Sequence, residues 1–119
     1  MPTTYLWGYK HQYPIAKIEN AAYESVRTAL GYATDTQVET LAAKEEPSSS
    51  EWTTINNLRT QLPNAQVTTY TYKPLIGIQT MIDPRGAKTT YVYDAFGRLQ
   101  TIKDENDKAL ENYEYHYKN

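Results

Sequence analysis

The 119-residue sequence predicts an α+β fold: an antiparallel β-sheet built as a meander of hairpins, with a three-helix insertion packed on one face. Three observations carry that prediction. A Tyr-x-Tyr motif recurs every 21 to 22 residues, strand-forming runs alternate with turn signals around it, and residues 20–64 change to a helical period. One domain, 1–119, is expected, organised as a β-hairpin unit at 1–19, a helical insertion at 20–64 and antiparallel strands at 65–119.

The first hairpin joins Thr3-Thr4-Tyr5-Leu6-Trp7 to a return run, Ile15-Ala16-Lys17-Ile18. Asn20 then stands as an N-cap, with Ala22, Tyr23, Val26, Ala29 and Leu30 along one helical face and Gly31 as the stop. Thr34-Asp35-Thr36-Gln37 has the form of a capping box before Val38, Leu41 and Ala42. Ser48 to Glu51 is a second box, leading to Trp52, Ile55, Leu58 and Leu62 before Pro63. Helices are thus expected at roughly 21–30, 36–44 and 50–61, with residues 45–50 as a flexible loop. Such short helices are marginal alone, so their apolar stripes must dock on the sheet.

Thr68-Thr69-Tyr70-Thr71-Tyr72 recurs 21 residues later as Thr89-Thr90-Tyr91-Val92-Tyr93, and Tyr113-Glu114-Tyr115 follows after 22 more. Gln79-Thr80-Met81-Ile82-Asp83 matches Gln100-Thr101-Ile102-Lys103-Asp104 at the same offset of 21. Gly77 and Gly97 are one step out of register. Each unit reads as strand, tight turn, strand. Asp94-Ala95-Phe96-Gly97 and Asp83-Pro84-Arg85-Gly86 supply turn chemistry, because Asp bonds its own downstream backbone and Gly accepts positive φ. Asn106-Asp107 is expected to serve the same purpose. About five strands follow in residues 65–118.

Composition narrows the function classes. Twelve Tyr and two Trp against one Phe suit half-buried sheet faces and contact surfaces. A net charge of −2 gives no basic surface for nucleic acid. Absence of Cys removes disulfides, thiol nucleophiles and thiolate metal sites. No run reaches the apolar length of a membrane span, and the N-terminus lacks signal-peptide form.

Tyr91-Val92-Tyr93-Asp94-Ala95-Phe96-Gly97-Arg98-Leu99, preceded by Gly86, resembles the YD repeat, also called the RHS repeat. Lys73 stands where the preceding unit would carry Asp, Gly77-Ile78 replaces Gly-Arg-Leu, and the last unit has no Gly-Arg. The run from Tyr5 to Asn20 and the helical insertion resemble segments of large YD-repeat proteins of Bacteroidetes-type bacteria. The resemblance implies β-ribbons that spiral into shells, surface or secreted placement, a cell-wall or toxin-delivery setting, and carbohydrate contact. It also implies neighbouring repeat units as partners and a chain that is a C-terminal fragment or a short copy.

Two readings are weighed at each candidate site. Asp94 and Arg98 would be a ligand-clamping ion pair, or a turn whose Asp caps amides while Arg packs along a strand. Tyr70, Tyr72, Tyr91, Tyr93, Tyr113 and Tyr115 would stack sugar rings, or form cross-strand pairs worth roughly 0.2 to 1 kcal/mol each. In both cases the structural reading is the stronger. His11 and His116 lack metal-ligand spacing, and Asp104, Glu105 and Asp107 lack the remaining positions of a calcium loop. No catalytic motif appears, and neither cofactor nor metal is expected. The expected function is a non-catalytic structural module, whose open sheet edges recruit other units or a second copy. A carbohydrate-binding module using exposed Tyr or Trp is the alternative.

Overall fold

A computed structural model describes residues 1–106 and 108–112. Its strands are β1 (Thr3–Gly8), β2 (Tyr13–Glu19), β3 (Gln66–Lys73), β4 (Gly77–Ile82), β5 (Lys88–Tyr93), β6 (Leu99–Lys103) and β7 (Ala109–Asn112). They stand side by side in chain order in one antiparallel sheet. Between β2 and β3 come α1 (Tyr23–Leu30), α2 (Asp35–Ala43), α3 (Ser49–Asn56) and α4 (Leu58–Gln61). The α+β fold read from the sequence is the fold observed. Tyr70–Tyr72 and Tyr91–Tyr93 occupy β3 and β5, two strands of that sheet running in the same direction. The chain forms two compact units, Met1–Tyr70 and Thr71–Asn119.

The first unit owns a buried core. In β1 alternate residues turn inward, so Thr4, Leu6 and Gly8 are buried while Thr3, Tyr5 and Trp7 are exposed. Leu6 joins Ile15, Ile18 and Val67 from the strands and Val26, Leu30, Leu41, Ile55 and Leu58 from the helices. A bulge breaks strict alternation: Leu6 pairs with Ala16 but Trp7 pairs with Pro14, leaving Ile15 as the extra residue. Ile15 and Ala16 therefore both face inward. The room comes from Gly8, where a Cβ would stand 2.8 Å from Ile15 Cγ2.

Both capping boxes form at the expected residues. The Gln37 side chain accepts from the Thr34 amide at 3.2 Å, and Glu51 Oε1 accepts from the Ser48 amide at 2.8 Å while Ser48 Oγ accepts from Glu51. Gly31, at φ +81, closes α1 with its amide on the Thr28 carbonyl and the Tyr32 amide on the Arg27 carbonyl. Asn20 is not the N-cap. It adopts φ +65, its side-chain amide donates to the Asn64 carbonyl, and α1 begins later, after Ala22. The third helical run is interrupted at Asn57, which separates α3 from α4. A side-chain cluster replaces continuous helix as the anchor there. Asn56 Oδ1 accepts from Arg59 Nη1 at 2.6 Å and from the buried Thr69 hydroxyl of β3 at 2.9 Å.

The second unit is built only of strands and turns, and none of its described residues is buried. Its cohesion rests on backbone ladders, on cross-strand contacts such as the Thr71–Thr80 hydroxyl pair, and on the bonding of its turns.

Candidate functional site

The turns of the second unit share one construction. Asp83 Oδ1 accepts the amides of Arg85 and Ala87, both at 2.9 Å, and the Asp83 amide donates to the Ala87 carbonyl at 3.0 Å. Asp94 Oδ1 accepts from Phe96 at 2.8 Å and Arg98 at 3.0 Å, with the Asp94 amide on the Arg98 carbonyl at 2.8 Å. Asp104 Oδ1 accepts from Asn106 and Lys108, both at 2.9 Å, with the Asp104 amide on the Lys108 carbonyl at 2.9 Å. Gly86 and Gly97 each stand three residues after their Asp, at φ +87 and +77, where a side chain would be strained. The equivalence of all three aspartates was readable in their spacing of 11 and 10 residues, which the 21-residue offset had obscured.

The first turn of this unit departs from the rule. Lys73 stands 21 residues before Asp94 and offers no carboxylate. The Ile76 amide still reaches the Lys73 carbonyl at 3.0 Å, but the left-handed position is taken by Leu75, at φ +67 and 93% exposed.

Asp94 uses both oxygens. Oδ2 receives Arg98 Nε at 2.9 Å, and the Arg98 guanidinium lies 5.3 Å from the centroid of the exposed Phe96 ring. Burial works upward on the Asp94 carboxyl. The Arg98 and Phe96 amides and the guanidinium outweigh it and hold the group below its ordinary range. This geometry makes Arg98 a brace for its own turn. Leu99 pairs with Tyr93 beside a bulge at Gln100, since Val92 pairs with Thr101.

Among the tyrosines, Tyr70, Tyr72, Tyr91 and Tyr93 are half-buried. The Tyr93 hydroxyl donates to the Ile78 carbonyl at 2.7 Å, and burial pushes its pKa up. Tyr113, Tyr115, His116 and Asp107 lie outside the described residues. His11 places Nε2 3.0 Å from Glu39 Oε2.

The first unit brings together a group that sequence reasoning did not assemble. Tyr5 and Trp7 of β1, His11 of the following turn, Tyr23 of α1, and Asp35 and Glu39 of α2 line an open cleft of about 320 Å³. Asp35 Oδ1 receives Arg27 Nη1 at 2.9 Å and the Tyr23 hydroxyl at 3.0 Å. Those two hydrogen bonds, Arg27 first, hold the Asp35 carboxyl below its ordinary range. Alternation of Tyr5 and Trp7, and the i, i+4 spacing of Asp35 and Glu39, were the available signals.

Residues 78–109 match the family model described as the RHS Repeat. The match covers β4 through the start of β7, including the Asp83, Asp94 and Asp104 turns. No curated protein matches the chain, and no solved structure does.

Proposed function

We propose that the chain, whose residues 78–109 match the RHS Repeat model, is a non-catalytic structural module of a cell-surface or secreted protein. The family is in general structural rather than catalytic, and its proteins are in general extracellular or surface-associated. In this reading the segment belongs to the shell or scaffold of a larger protein, of the kind that delivers toxins. Its partners are further repeat units.

The observation that carries the reading is the set of three identically bonded Asp turns. Every turn returns the chain to pair with the strand before it, which supports a sheet that grows by lateral addition. The arrangement around β1 adds a direction. Leu41 of α2 lies in the core with Leu6, while Glu39 of the same helix borders the cleft with Tyr5 and Trp7. A helix that reaches both faces of β1 runs along the strand's outer edge. The amides of Lys10 and His11 also donate, each at 2.8 Å, to the carbonyls of Lys44 and Ala42 at the end of α2. Growth is therefore assigned to the β7 side and capping to the β1 side.

The test is self-association of the chain. Light scattering at rising concentration is expected to show dimers, and Leu110→Pro in β7 is expected to suppress them, since Pro cannot donate to a ladder. A strict monomer at high micromolar concentration, or dimers unaffected by the substitution, would count against the reading. Carbohydrate binding by the half-buried tyrosines has less support, because Tyr93 is already bonded to the neighbouring strand.

A further inference from the structure

We infer that the cleft bordered by Tyr5, Trp7, Tyr23, Asp35, Glu39 and His11 receives a cationic side chain, the ammonium or guanidinium of a lysine or arginine on a partner polypeptide. The cleft lies wholly in the first unit and outside the matched repeat, so the proposal stands independently of the module's structural function.

Charge is the first argument. The residues lining the cleft include two carboxylates and neither Lys nor Arg; Arg27 pairs with Asp35 from beside the cleft, which leaves Glu39 without a Lys or Arg partner among the described residues. Asp35 and Glu39 project from successive turns of α2, and each has one oxygen engaged, Asp35 Oδ1 by Arg27 and Tyr23 and Glu39 Oε2 by His11. Asp35 Oδ2 and Glu39 Oε1 have no partner among the described residues. Both are acceptors, and a cation with several N–H donors satisfies them in one step.

The aromatic side supplies the second argument. Tyr5 and Trp7 are 47% and 45% exposed and stand two residues apart on the outward face of β1. Neither the Tyr5 hydroxyl nor the Trp7 indole N–H is bonded to another described residue. Ring faces carry negative potential, so aromatic walls and free carboxylates select the same ligand charge. A neutral sugar fits less well. It carries no charge to meet the carboxylates of Asp35 and Glu39.

The backbone behind the cleft fixes the position of His11. Tyr9, Lys10 and His11 all adopt positive φ, at +53, +58 and +64, in a region that costs roughly 1–2 kcal/mol for each residue other than Gly. The two amide bonds to the end of α2 hold that turn and place His11 at the rim.

The test uses the full chain, with hexalysine as probe and hexaglutamate and a neutral cello-oligosaccharide as controls. Calorimetric titration at low salt is expected to give saturable binding of hexalysine alone. The Trp7 indole resonance, distinguished from that of Trp52 by Trp7→Phe, is expected to move with it. Glu39→Gln and Trp7→Ala are each expected to weaken binding by about fivefold or more, with circular dichroism unchanged. Glu39 is exposed, so its variant tests the site even if the Trp7 variant folds poorly. Undiminished binding in the Glu39 variant would overturn the proposal. So would a Trp7 shift with the oligosaccharide alone, or no shift with any probe.

Discussion

Tyr93 and Gly77 occupy one space between neighbouring strands: a Cβ on Gly77 would stand 2.6 Å from the Tyr93 hydroxyl oxygen. That hydroxyl donates to the Ile78 carbonyl, so the ring crosses β4 where β4 has no side chain. The glycine that falls out of register with Gly97 is therefore a seat for a tyrosine, in a unit without a buried core. Gly77→Ala is expected to displace the ring and its hydrogen bond and to cost about 1–2 kcal/mol. Tyr93→Phe should cost about 1 kcal/mol, and the double variant less than the sum. Urea denaturation of the four proteins measures the coupling, and simple additivity would contradict the shared-space account.

The three aspartate turns predict a substitution pattern. Asp83→Asn keeps the Oδ1 acceptor and is expected to be close to neutral, whereas Asp83→Ala leaves two amides without a partner and should cost about 1 kcal/mol. Asp104 should behave as Asp83 does. Asp94→Asn is expected to cost more than Asp104→Asn, because the second oxygen of Asp94 holds Arg98 Nε. Thermal melts of the five variants check the ranking.

Acid should weaken the fold through the same group. The Asp94 carboxyl titrates lower in the folded chain than in the unfolded one, so its contribution is present in full above the ordinary carboxylate value, near pH 4. It is lost as pH falls through the folded value. Asp35 and Glu51 are lowered too, Asp35 by Arg27 and Tyr23 and Glu51 by Lys44 and Ser48 against the opposing effect of burial. Stability measured from pH 6 to pH 2 is expected to drop mainly below about pH 4, and Asp94→Asn to flatten part of that drop.

Gly8 has a packing duty. Gly8→Ala would drive a methyl group to 2.8 Å from Ile15 Cγ2, at a bulge where Ile15 cannot retreat from the core. A loss of about 1–3 kcal/mol is expected in chemical denaturation. The pair Gly8→Ala with Ile15→Val should recover part of it.

Leu75 offers the opposite case. It is almost fully exposed and holds φ +67 after Pro74, a position where Gly is at home. Leu75→Gly is expected to raise stability by about 1 kcal/mol, visible as a rise of a few degrees in the melting midpoint.

The sequence alone determined the elements whose signals are local. Turn aspartates, left-handed glycines and capping boxes act over three or four residues, so Asp83, Asp94, Gly31 and Ser48 announce themselves, and the recurrence of Tyr-x-Tyr places β3 and β5 in one sheet. The N-cap at Ala22 and the break at Asn57 were decided elsewhere, by Asn20 reaching the Asn64 carbonyl and by Asn56, Arg59 and Thr69 closing a cluster across distant chain. Only the tertiary structure could seat Tyr93 on Gly77, turn Ile15 inward through a bulge, or bring Tyr5 and Trp7 to the carboxylates of α2. Those relations depend on which segments become neighbours, and burial sets that energy over the whole core rather than within any short window of residues.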